Sequence, residues 1–150
     1  LPESYLPFVS ATAVLNAVVV FLYWKLYFID PILVNYSGSI VWFQEYYLHI
    51  LGPALIILDA LLLNNSFIQV KNGVMTILAI CLFYILWSEA VTGPLNDTPE
   101  GAVTSGLPYP FLNHMSFSER VSFYATTIVT GLGFYVAGCI LAKLKSKFEE

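Results

Sequence analysis

Hydrophobic and polar positions divide the chain into four long apolar runs separated by shorter polar stretches. Residues 5–24 carry no charge and few polar groups, among them Thr12 and Asn16, with Pro7 near the first turn, where proline is tolerated. Residues 46–63 are apolar except for His49, Gly52-Pro53 and Asp59. Residues 74–87 form a shorter run that reaches Val91 if Glu89 lies at a membrane interface, and residues 121–141 are uncharged, with Gly131, Gly133 and Gly138 among helix formers. A hydrocarbon core about 30 Å thick is crossed by roughly 20 helical residues. None of the runs alternates like a barrel strand, and backbone in lipid must satisfy its own hydrogen bonds, so the pattern predicts helices. The expected fold is all-α: a polytopic transmembrane helical bundle with four spans, at about 5–27, 44–63, 73–92 and 119–142, in a single membrane domain over residues 1–150. Pro53 lacks an N–H and predicts a kink in the second span. The chain starts at Leu1 with no signal-peptide pattern, which leads us to expect a longer bundle with at least one helix upstream.

Composition strengthens this reading. The chain is 58% hydrophobic and 11% charged, against about a quarter charged for an ordinary soluble domain. A net charge of −4 and six scattered basic residues give no support for a nucleic-acid partner, so the expected partners are membrane lipids and other membrane proteins. Cys81 and Cys139 lie far apart in apolar runs, where a thiol acts as a small hydrophobe, and they specify neither a zinc site nor a disulfide framework. Trp24, Trp42 and Trp87, with Tyr23, Tyr27, Tyr46, Tyr47 and Tyr109, mostly fall near the expected span ends and read as an aromatic belt.

Orientation follows from the basic residues. Lys71, Lys143, Lys145 and Lys147 lie on one side, against Lys25 and Arg120 on the other, which places the C-terminus in the cytoplasm. The sequons Asn35-Tyr36-Ser37 and Asn96-Asp97-Thr98 then fall on the opposite side; a third match, Asn64-Asn65-Ser66, would face the cytoplasm.

The candidate chemistry lies in the second run. An ionisable group within the bilayer is costly unless partnered, so His49 and Asp59 are the first functional candidates. His49 reads either as a general base or proton shuttle, or as a histidine hydrogen-bonded between helices. Glu45, one turn earlier, can orient its ring. Asp59 lies ten residues on, about 15 Å along a helix, too far for a direct dyad; it reads as a structural anchor bonded to a neighbour such as Asn16, or set near the headgroups. Glu89 near the outer surface and His114 in the outer loop are possible supporting groups that converge on His49. No nucleophile elbow, phosphate-cradling loop or paired-histidine zinc motif is present, so neither a metal nor a cofactor is expected.

Three short motifs carry a resemblance. Tyr84-Ile85-Leu86-Trp87, Val91-Thr92-Gly93 and Tyr109-Pro110-Phe111-Leu112-Asn113-His114 resemble the Tyr-Ile-Leu-Trp, Val-Thr-Gly and Tyr-Pro-Phe-Leu-Glu-His runs of the androgen-induced-protein family. His49 followed by Asp59 is similar to that family's intramembrane histidine with Glu at the same offset. The resemblance implies a multi-pass protein of the endoplasmic reticulum or another endomembrane, a hydrolase of lipid esters, notably fatty acid esters of hydroxy fatty acids, acting through a Thr nucleophile and a His. His49 matches the histidine; the Thr lies on an earlier helix, upstream of anything aligned, and Thr12 does not match it. Ser88-Glu89-Ala90 replaces a His-His pair before Val-Thr-Gly, residues 94–108 form a longer insertion, and the proline after the histidine is shifted by one place, at Pro53. The competing reading is a non-catalytic lipid-binding or scaffold subunit of a larger membrane complex. A transporter is a third option, supported by no repeat of broken helices.

Overall fold

The computed structural model describes residues 1–34, 41–95, 106–107 and 109–149, and among these every regular element is helical. Four helices are long and apolar enough to cross a membrane: α1 (Glu3–Ile29), α2 (Trp42–Leu63), α3 (Val70–Leu95) and α5, whose span is Phe117–Phe148. A short helix, α4 (Pro110–Asn113), precedes α5. The chain is thus an integral membrane, multi-pass bundle. The sequons at Asn35 and Asn96 lie outside the described residues.

α1 occupies the centre, packing against α2, α3 and α5. A third of its most apolar window is buried, against 11–17% for the other spans. Small and branched residues make this possible: Ser10, Ala11, Ala13, Val14 and Val18 are all buried. The remaining apolar surface is outward-facing, as expected of helices solvated by lipid.

Within the four long helices, two glycines set the closest approaches. A Cβ on Gly73 would collide with the ring and hydroxyl of the buried Tyr135, and one on Gly138 with the Phe67 ring. Of the three glycines singled out in the last span, Gly138 alone has this role: Gly131 meets Val18 at ordinary contact distance, and Gly133 faces open space.

The second span stays helical through Pro53 but not regular. Gly52 N–H donates to Tyr47 O, five residues back, and the turn Tyr47–Leu51 is wound as a π-helix. The expected irregularity therefore takes the form of a π-turn just before the proline. The same geometry recurs at Asp59–Leu63 and at Ser88–Thr92, the latter just before Pro94. The last helix runs to Glu149, beyond the expected end near 142, because its lysine-bearing tail continues in good helix formers. Lys145 on that extension donates to Leu61 O (3.4 Å), Leu62 O (2.6 Å) and Asn65 Oδ1 (2.9 Å), closing the end of α2. Those carbonyls have no partner of their own where a helix ends.

Candidate functional site

Each of the three π-turns carries one acid or base: His49, Asp59 or Glu89. Such turns recur at functional sites because they free backbone groups and re-aim side chains. Here the three groups have different fates.

Asp59 is tied to its own turn. Asn64 Nδ2 donates to Asp59 Oδ2 at 2.7 Å, and Asn64 N–H to Asp59 O at 3.0 Å. Asn16, proposed from sequence as its neighbour, instead donates to Thr12 O on its own helix at 2.9 Å. Anchoring is local because Asn64 lies within reach and Asn16 is held elsewhere.

Glu89 is gripped from α5. Arg120 Nε donates to Oε1 at 2.8 Å and Nη2 to Oε2 at 2.9 Å, while Tyr124 OH donates to Oε1 at 2.7 Å. Arg120 Nη1 also reaches Met115 O at 2.9 Å. This fork-to-fork pairing is the strong form of an ion pair and welds α3 to α5. Arg120 lies in the first turn of α5, and Glu89 is committed to it rather than to His49. His114 caps α4 and is exposed. The expected convergence of His49, Glu89 and His114 is therefore absent.

His49 and Glu45 do come together. His49 Nδ1 lies 3.0 Å from Glu45 Oε2, as their one-turn spacing predicts. The oxygen sits off the N–H axis, so the contact is one of charge and position without an aligned hydrogen bond. Both side chains are about four-fifths buried. No partner occupies Nε2 among the described residues.

Two neighbours on α1 complete the arrangement. The Tyr23 ring stacks on the imidazole, with centroids 3.5 Å apart and planes 6° from parallel, and its hydroxyl donates to Glu45 Oε2 at 2.5 Å. Trp24 Nε1 donates to His49 O at 3.1 Å. The indole thus ties α1 to the backbone of the π-turn that carries His49. Sequence reading placed Tyr23 and Trp24 in an aromatic belt.

These groups open on a cavity of about 670 Å³ walled by all four spans and by residues of the connecting segments. Most of the wall is apolar, with Leu15, Val18, Val19, Leu22, Ile80, Ile85 and Ile128 among its residues; its polar members include Glu45, His49, Tyr23, Ser88, Tyr124 and Thr127. Tyr23 lies six residues before the end of α1 and Ser88 seven before the end of α3, while His49 and Tyr124 lie seven after the starts of α2 and α5. At about 1.5 Å per residue, all four sit at one level, roughly 10 Å below one face of the bundle. The buried Ser88 hydroxyl has no hydrogen-bond partner among the described residues, another feature invisible to sequence. A volume of this size suits an acyl chain or a drug-sized ligand. No group of three or more metal-ligating side chains exists among the described residues.

Comparison with curated proteins and with solved structures gives no match. The family model described as FAR-17a/AIG1-like protein matches residues 4–143, nearly the whole chain, and the chain therefore belongs to that family, the androgen-induced-protein family whose motifs its sequence resembles.

Proposed function

We propose that this chain is a membrane-embedded lipid ester hydrolase of the androgen-induced-protein type, with His49 as its general base. The observation that carries the reading is an imidazole whose Nδ1 faces a carboxylate and whose Nε2 is left open, on the wall of a mainly apolar cavity of about 670 Å³. An apolar cavity holds acyl chains away from water, and a base placed beside it meets the ester that joins them.

The nucleophile in this reading is the family's threonine, carried on a helix upstream of the residues that align here. Its Oγ–H gives its proton to His49 Nε2 as Oγ bonds to the ester carbonyl carbon. The tetrahedral intermediate collapses by breaking the bond to the alkoxide oxygen, which takes the proton from the imidazolium and leaves as the alcohol. Water, deprotonated by the same nitrogen, then adds to the acyl-threonine carbonyl; as the bond to Oγ breaks, the imidazolium returns the proton to Oγ and the carboxylic acid leaves. Glu45, whose carboxylate faces Nδ1, stabilises the imidazolium. The substrate class is fatty acid esters of hydroxy fatty acids. The proposed setting is the endoplasmic reticulum or another endomembrane, with the C-terminus in the cytoplasm and the His49 level nearer the opposite face.

One observation favours the competing reading of a non-catalytic lipid-binding or scaffold subunit: among the described residues no hydroxyl is bonded to His49 Nε2. Turnover separates the two. The full-length protein in lipid vesicles, given a fatty acid ester of a hydroxy fatty acid, is expected to release both products, and His49→Gln to lower the rate by about 10²–10⁴-fold, the usual worth of a positioned base. His114→Gln is expected to leave it unchanged. Undiminished turnover in His49→Gln overturns the proposal.

A further inference from the structure

We infer that the adjacent residues Tyr23 and Trp24 on α1 form a two-point clamp that fixes both the position and the tautomer of His49. The clamp itself stands on geometry; its kinetic consequence rests on the hydrolase reading.

The two points act on different parts of the same residue. Trp24 holds the main chain: its indole donates to the His49 carbonyl at 3.1 Å. Tyr23 holds the side chain twice over. Its ring covers one face of the imidazole at 3.5 Å, and its hydroxyl, bonded to Glu45 Oε2, fixes the carboxylate that faces Nδ1. Glu45 by itself does not orient the ring, because its oxygen lies off the Nδ1–H axis. With the carboxylate held there, the proton belongs on Nδ1 and Nε2 stays bare, the form a general base requires.

A π-turn has a loose backbone, and a side chain on one is free to be re-aimed. α2 packs mainly on α1. The restraint on His49 therefore comes from α1, and consecutive residues there supply it. Tyr23 and Trp24 are positioning residues: they act through His49.

The chain has two histidines, and in a full-length protein labelled with ¹⁵N,¹³C-histidine their ring signals are assigned as those lost in His49→Gln and in His114→Gln. The clamp predicts that native His49 carries its proton on Nδ1 and that its ring protons are shifted upfield of those of the exposed His114 by the stacked Tyr23 ring. Tyr23→Phe keeps the ring and is expected to keep the upfield shift, with kcat about tenfold lower and KM unchanged, since the bond to Glu45 is lost. Tyr23→Leu is expected to lose the shift, with kcat about a hundredfold lower, the cost of a misplaced reacting group. Native His49 signals resembling those of His114 overturn the clamp, whatever the activity. Upfield signals with no ester turnover leave the clamp standing and remove the hydrolase reading. Turnover that is unchanged in Tyr23→Leu after the shift is lost overturns the positioning role.

Discussion

At the scale of single residues, the bundle separates groups that chemistry needs from groups that hold it together. Glu89 and Asp59 both sit on π-turns, yet their carboxylates are engaged, one by Arg120 and Tyr124 and the other by Asn64. Breaking the Arg120 pair with Glu89→Ala leaves a partly buried guanidinium uncompensated and is expected to cost about 1.5–3 kcal/mol, read as a lower thermal midpoint in detergent. Asp59→Asn keeps a hydrogen-bonding partner for Asn64 and is expected to change the midpoint little. Ser88 is the opposite case. Its buried hydroxyl has no partner among the described residues, so Ser88→Ala is expected to be neutral or stabilising by up to about 1 kcal/mol; a clear loss of stability contradicts that account. Sequence made His49 and Glu45 legible because one helical turn separates them and a bilayer makes both costly. Tyr23 stayed hidden because stacking across helices leaves no periodic mark, and an interfacial tyrosine has a ready explanation in the aromatic belt.

Among the helices, the decisive contacts are close approaches and the repair of broken backbone ladders. Gly138 and Gly73 let Phe67 and Tyr135 lie against neighbouring backbone. Gly138→Ala is expected to destabilise the bundle by about 1–3 kcal/mol through overpacking, while Gly133→Ala, facing open space, is expected to be neutral or slightly stabilising; parallel thermal melts check both. The sequence marked three glycines in the last span but carried no means of ranking them, because the ranking depends on which residue faces each one. The spans themselves were plainly legible, since length and hydropathy are local properties. Their ends were less so: α5 runs to Glu149, past the apolar stretch. A proline in the second span predicted an irregularity, though not that it would be a π-turn with a tryptophan bonded to its backbone.

For the whole molecule, a central helix touching three others leaves room between them near one face, and that room is the cavity. Four of its polar members, Tyr23, His49, Ser88 and Tyr124, share one level because each lies six or seven residues from the same-side end of its helix. On the hydrolase proposal, an acyl chain enters this cavity between the spans and its ester group rests at the level of His49. A lipid ester bearing a photoreactive group on its acyl chain, cross-linked to the full-length protein in vesicles and mapped by mass spectrometry, tests this directly. The account predicts labels on cavity residues such as Val19, Leu22, Ile80 and Ile85, lost on competition with unlabelled ester. Labels confined to lipid-facing positions such as Phe83, Leu86 and Val129, undiminished by competitor, contradict it.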